Sequence, residues 1–293
     1  MVIPATPLKR RTVLCGAFAS LALPARADVP RLAAIDWAML ETALALGVTP
    51  VSACELIRFR ADAVEPAVPP SVTDLGLRGS PNFELLQLTR PELILSSPWY
   101  AGIEPRLSSI APVMSRPVYT AGEPPWPKAL AALHALADRL GLPERSRQVE
   151  DEALADIDRM RRALAPWRDR PVYIVQIGDA RHFRAFGTDS MFGNLLSLLG
   201  LENAWEGRTE FSFAAPLPLE RLAPRPEARI LAISGIPPEA APGLRRSVLW
   251  NRLPPVAEGR LAMLEDINPF GGVPAGLRFA RLATAALTQG RAG

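Results

Sequence analysis

The chain has 293 residues, 48% of them apolar, with 33 basic and 30 acidic side chains, a net charge of +3 and two cysteines. Four of the basic residues, Lys9, Arg10, Arg11 and Arg26, stand within positions 1–27, so the rest is close to neutral, which removes the phosphate-neutralising charge that nucleic-acid binding needs. Beyond that segment only Cys54 remains, so no internal disulfide can form there and the core must supply the stability.

Residues 1–27 read as a cleaved export signal. Lys9, Arg10 and Arg11 form a basic start, an apolar run covers 13–23, and Ala25-Arg26-Ala27 is a small-x-small cleavage site. The apolar run is far shorter than the ~20 residues a membrane span requires. Arg10-Arg11 before Thr12 fits a twin-arginine signal as well as an ordinary secretory one. Leu14 ahead of Cys15 speaks against lipidation of that cysteine.

After the signal the pattern alternates between strand and helix. A short apolar strand over 32–35 precedes a helix with Asp36 as N-cap and Gly47 as its stop. A second strand covers 51–54, and the proline-rich stretch 61–73 reads as loop. Residues 74–78 read as a strand end and turn, Ser80 as the cap of a helix to Leu88, and 92–96 as an apolar strand, which makes a βαβ unit with a parallel sheet. Residues 110–113 and 117–119 continue the sheet, and a helix over 126–140 ends at Gly141.

The longest periodic segment is 143–167. Leu154, Ile157, Met160 and Leu164 recur at helical spacing, Pro143 suits a helix start and Pro166 its end. At ~1.5 Å per residue such a helix spans roughly 33 Å, enough to act as a strut between two α/β lobes. Strands over 171–177, 183–186 (as a hairpin partner), 230–233 and 260–264, with helices over 190–199, 218–222, 242–251 and 274–287, repeat the α/β logic in the second half. The expected division is therefore a signal at 1–27, a first lobe at 28–143, an interlobe helix at 144–167 and a second lobe at 168–293.

No nucleophile elbow, phosphate loop, dinucleotide fingerprint or Cys-x-x-Cys is present. His134 lies mid-helix, His182 lacks a motif partner, and Cys54 reads as a small buried apolar residue. No metal site can be assembled from imidazole, thiolate or clustered carboxylates. What stands out is a set of loop residues beyond strand ends, where open α/β sheets bind ligands: Trp37, Arg78, Trp99 and Tyr100 in the first half, and Trp205, Phe213, Asn268 and Phe270 in the second. In a two-lobed fold these could converge on one cleft.

The blocks AIDWAMLETALALGVTP, DLGLRGSPNFELLQLTRPELILSS, DARHFRAFGTDSMFGNLL with ENAWEGRTEF, and AGLRFARLATA resemble the ferric-hydroxamate-binding periplasmic proteins (FhuD type) that feed ABC importers. The resemblance runs through nearly the whole mature chain and implies two α/β lobes joined by one long helix. It implies that Arg78 and Tyr100 contact hydroxamate oxygens around the iron, with Trp37, Trp205 and Phe270 among the cleft aromatics. The siderophore itself ligates Fe(III), so neither a protein metal ligand nor a cofactor is expected. The same fold could instead carry haem or cobalamin. Ser96, Asp62, Ser212 and Asn268 stand where the family leads one to expect tryptophans, which suggests a smaller or more polar ligand, with Arg58, Arg60 or Arg181 as extra anchors. The expected partners are a ferric siderophore and an inner-membrane ABC permease with its ATPase, docked through Glu104 and Glu220. The expected product is a periplasmic monomer and not an enzyme, with little hinge motion on binding.

Overall fold

In the computed structural model, residues 29–209 and 216–289 are described; the expected export signal and Phe213 fall outside them. The first half builds β1 (Leu32–Ala34), α1 (Trp37–Ala45), β2 (Ser52–Ala53), α2 (Leu56–Asp62), β3 (Thr73–Asp74), a small hairpin of β4 (Gly76–Leu77) and β5 (Ser80–Pro81), α3 (Phe83–Leu88), β6 (Leu93–Ser96), α4 (Glu104–Ser108) and β7 (Val113–Ser115). Then come α5 (Pro125–Leu140) and α6 (Pro143–Ala163). The second half builds β8 (Val172–Ile177), β9 (His182–Ala185), α7 (Met191–Leu198), β10 (Leu217–Pro218), β11 (Arg229–Ala232), α8 (Ala241–Arg246), α9 (Val248–Arg252), α10 (Pro254–Ala257), β12 (Leu261–Met263) and α11 (Val273–Gln289).

The strands form two five-stranded sheets, ordered β3-β2-β1-β6-β7 and β10-β9-β8-β11-β12. The first is wholly parallel. In the second, β8, β11 and β12 run parallel, and β9 and β10 add antiparallel pairs at one edge. Helices cover both faces of a parallel sheet, and the β8 sequence VYIVQI shows it: Val172 and Ile174 point into one core, and Tyr173, Val175 and Ile177 into another.

Between the sheets, α1, α5, α6, α7 and α11 pack on one another. Their apolar faces join Leu32, Leu93 and Leu95 of the first sheet to Val172, Ile174 and Leu231 of the second in one continuous core. The long helix is therefore one member of a packed block, and α11, last in the chain, lies against α1, α5 and α6.

Its buried stripe also differs from expectation. Ser146, Val149, Ala153, Ile157 and Met160 face inward, whereas Leu154 is 46% exposed. The small Ala153 takes the inward position, and Leu154 beside it turns toward solvent. Its α-helical part stops at Ala163, and Ala165–Trp167 is a short 3-10 turn. Helix α3 starts later than predicted because Ser80 pairs in a hairpin; Asn82 is the cap, its Oδ1 accepting from the Leu85 amide at 2.9 Å. Residues 117–119 leave the sheet as loop, and Ser247 splits the helix predicted over 242–251 into α8 and α9, capping the second. Asp36 and Gly141 cap α1 and α5 as predicted. Among the described residues, no helix is long and apolar enough to cross a membrane.

Candidate functional site

The site begins at the carboxyl ends of the first sheet. Strand β1 runs into Asp36, β6 into Ser97 and Trp99, and β7 into Tyr119. With Arg78 beyond β4, and Phe270 reaching over from the segment after β12, these residues line one cleft. Its free space, open solvent included, is about 320 Å³.

Arg78 is the organised cation of the cleft. Its Nε donates to Glu55 Oε2 at 3.1 Å and its backbone amide to Glu55 Oε1 at 3.2 Å. Its guanidinium lies 4.0 Å from the centroid of the Trp37 ring, a cation–π geometry that adds up to about 2 kcal/mol when desolvated. Trp37 is itself fixed: its indole N–H donates to Cys54 O at 3.0 Å and its ring meets Phe59 edge-on. Glu55 holds a left-handed backbone (φ 53°) two residues past β2, at the start of α2, a conformation costly for a residue with a Cβ and found preferentially at functional sites. The result is a side chain braced on two sides. Its terminal nitrogens Nη1 and Nη2 have no hydrogen-bond partner among the described residues.

The acidic neighbour is Asp36. It caps α1, accepting from the Met39 amide at 3.1 Å, and receives the Ser97 hydroxyl at 2.9 Å. Burial raises its pKa above the usual carboxylate range, against the hydrogen bonds and the Arg78 charge that lower it.

Three rings form the remaining wall. Trp99, 48% exposed, meets Phe270 edge-on at 5.5 Å between centroids and Tyr119 at 6.1 Å, and Tyr119 meets Phe270 at 5.7 Å. The Tyr119 hydroxyl donates to Gly271 O at 2.6 Å, and burial pushes its pKa well above the ordinary phenol value. These ring contacts, edge-on to Phe270 and tilted between Trp99 and Tyr119, join a residue after β6, one after β7 and one after β12, so both lobes build the same wall.

The predicted residues divide. Arg78, Trp99 and Phe270 come together in the cleft, and Trp37 forms the platform beneath Arg78. Tyr100 is half-buried against the outer core of the first lobe, near enough to Arg78 for that charge to act on it; burial still raises its pKa to about 12. Trp205 does not line the cleft. It is buried in the second lobe's core, edge-on to Phe183, with its indole N–H turned toward Arg208 O at 3.4 Å. Asn268 is buried too, and both ends of its amide are committed: Nδ2 donates to Glu41 Oε1 at 2.8 Å and Oδ1 accepts from the Phe270 amide at 3.0 Å. The three arginines proposed as extra anchors lie elsewhere. Arg58 pairs with Asp62, Arg60 reaches Pro69 O, and Arg181 borders a separate surface hollow with Asp179 and His182. Glu104 opens α4, and Glu220 is exposed in the 3-10 turn Leu219–Leu222.

Sequence reading missed Tyr119, Asp36 and Ser97 as cleft residues, although the rule that found Trp99 applies to each: all stand just past the end of a parallel strand. It also missed Glu41, wholly buried on α1. No group of three His, Cys, Asp or Glu side chains among the described residues is placed to hold a metal ion.

Two α/β lobes around a helical block, with a cleft at the strand ends, define a helical-backbone solute-binding protein. The chain belongs to the periplasmic binding protein family, matching it over residues 32–267. It is similar to the iron(3+)-hydroxamate-binding protein FhuD of Escherichia coli (strain K12), at 29% identity over 259 residues, which is 87% of this chain and 86% of that protein. Its fold matches the Fe3+–Desferal-bound siderophore-binding protein FhuD from Vibrio cholerae with a TM-score of 0.83 at 24% identity, over 89% of this chain and 99% of that one. It also matches the triscatecholate siderophore-binding protein FeuA from Bacillus subtilis complexed with ferri-bacillibactin, with a TM-score of 0.67 at 17% identity, over 88% and 92% of the two chains.

Proposed function

We propose that this protein captures a ferric siderophore of the hydroxamate type in the periplasm and delivers it to an inner-membrane ABC permease, itself carrying out no chemical conversion. The observation that carries this reading is Arg78: a guanidinium held by Glu55 and Trp37 whose two terminal nitrogens are hydrogen-bonded by none of the described residues. Those nitrogens are fixed donors for ligand oxygens. Trp99, Tyr119 and Phe270 offer the apolar wall that an organic chelate needs. Iron in such a complex is ligated by the siderophore, so the site has to grip the chelate's outer surface.

The charges favour the hydroxamate class. Glu55 offsets Arg78, and Asp36 adds no positive charge in either protonation state. Among the described residues, the cleft therefore carries no surplus positive charge. Three singly charged hydroxamates balance the ferric charge and give a neutral complex, whereas three doubly charged catecholates leave it strongly anionic. With Arg58, Arg60 and Arg181 outside the cleft, nothing described there neutralises extra ligand carboxylates.

Tryptophan-fluorescence titration of the mature protein tests this, using Fe(III)–Desferal, ferri-bacillibactin and haemin side by side. Tightest binding of Fe(III)–Desferal, lost in Arg78→Ala, is the expected result. Preference for the anionic triscatecholate would overturn the charge argument, and a Soret shift with haemin as the tightest ligand would replace the siderophore reading with a haem carrier.

A further inference from the structure

The turn carrying Phe270 belongs to the second lobe, yet first-lobe side chains hold it. The buried Glu41 carboxylate on α1 accepts from Asn268 Nδ2 at 2.8 Å, from the Gly272 amide at 2.8 Å and from the Ala275 amide at 3.1 Å. The latter two amides lie at the start of α11, where free N–H groups need acceptors. From the other side, the Tyr119 hydroxyl donates to Gly271 O. Asn268 passes the restraint on, because its Oδ1 takes the Phe270 amide.

The approach is as close as a backbone allows. A Cβ at Gly271 would collide with both Glu41 carboxylate oxygens, and one at Gly272 would stand 3.0 Å from Ala38 O. The glycine pair lets the turn lie directly on α1. Phe270 in turn meets Trp99 and Tyr119, both from the first lobe.

We propose that Glu41 and Tyr119 are positioning residues which, through Asn268, latch the Phe270 turn to the first lobe and so fix the width of the cleft. This rests on the reading of the cleft as the ligand site. The latch makes the far wall part of the same rigid unit as Arg78, so that a ligand meets a preorganised gap and dissociates slowly.

The test uses the mature protein with Asn268→Ala, Tyr119→Phe and Gly271→Ala, three changes that reach the latch from different sides. In the ligand-free state, hydrogen exchange of peptides spanning 268–277 is expected to be about tenfold faster in each variant, with β8 peptides unchanged and Trp99 emission shifted. Dissociation of Fe(III)–Desferal is expected to be about tenfold faster as well. Wild-type exchange over 268–277 would overturn the latch, as would a loosened turn with unaltered ligand dissociation. If wild-type protein fails to bind Fe(III)–Desferal, the hydroxamate reading falls; the latch is then judged by exchange and Trp99 emission alone, with unchanged values refuting it.

Discussion

Glu41 gives a pH dependence opposite to that of most carboxylates. It is wholly buried, and desolvation raises its pKa from 4.5 to about 7, against three hydrogen bonds that favour the ionised form. The unfolded chain gives up this proton above pH 4.5, while the folded protein keeps it until about pH 7. In that window the folded state binds more protons, so stability falls as pH rises. The contribution is complete below about pH 4.5 and gone above about pH 7. At 1.36 kcal/mol per pKa unit, the rise amounts to about 3 kcal/mol. Asp36 adds a slope of the same sign, so the informative quantity is the difference between wild type and Glu41→Gln. Urea unfolding of both proteins from pH 4 to 8 should show wild type losing about 3 kcal/mol relative to the variant across that range. A difference that is flat, or that grows in favour of wild type with pH, would refute the placement of a desolvated carboxyl between the lobes.

Other expectations follow from the same structure. Arg78→Ala removes hydrogen bonds to a charged group, each worth about 1.5–3 kcal/mol, so affinity for Fe(III)–Desferal should fall about 10- to 100-fold by fluorescence titration; an unchanged affinity would remove Arg78 from the site. Ile157→Ala, in the α6 face that joins both lobes, should cost about 2–5 kcal/mol in urea unfolding, whereas Leu154→Ala, 46% exposed, should stay within about 0.5 kcal/mol; equal costs would mean that the wrong stripe has been placed inward. Glu220→Arg and Glu104→Arg should leave Fe(III)–Desferal affinity intact and lower siderophore-dependent iron uptake in cells, and full uptake would take those residues off the permease-facing surface. Because one core runs through both lobes, small-angle scattering of free and loaded protein should superimpose, and a marked contraction on loading would show a hinge that this packing does not allow.

Much of the architecture was legible because it rests on local rules. Apolar runs too short for helices gave the strands, and capping residues gave the ends of α1 and α5. The errors lie where tertiary packing decides. Leu154 satisfied helical periodicity, but the buried place went to its neighbour Ala153, because the side of the helix that meets other elements is set by tertiary packing. Ser80 is a good cap, but it was drawn into a hairpin that aims Arg78 at the cleft. Loop aromatics could be counted in the sequence, but not sorted. Trp205 and Trp99 look alike there, and only the second lobe's core, closing around Trp205 and Phe183, separates them.

The same limit explains Asn268. In sequence it looks like a polar substitute for an aromatic wall residue, and that pointed to a more polar ligand. In the structure its polarity is spent on the protein, joining Glu41 to the Phe270 amide. A tryptophan at 268 would offer an indole ring in place of that amide, with one donor and no acceptor for the Phe270 N–H. The residue thus exchanges ring area for a hydrogen-bonded anchor on the ring two positions on. The loss of one aromatic therefore says little about ligand polarity and more about how the remaining aromatic is held. Ligand preference then turns on what the described residues of the cleft present: two guanidinium nitrogens that none of them engages, three rings and no surplus positive charge. Those are the terms of a neutral chelate with oxygens exposed on one side and an organic surface on the other.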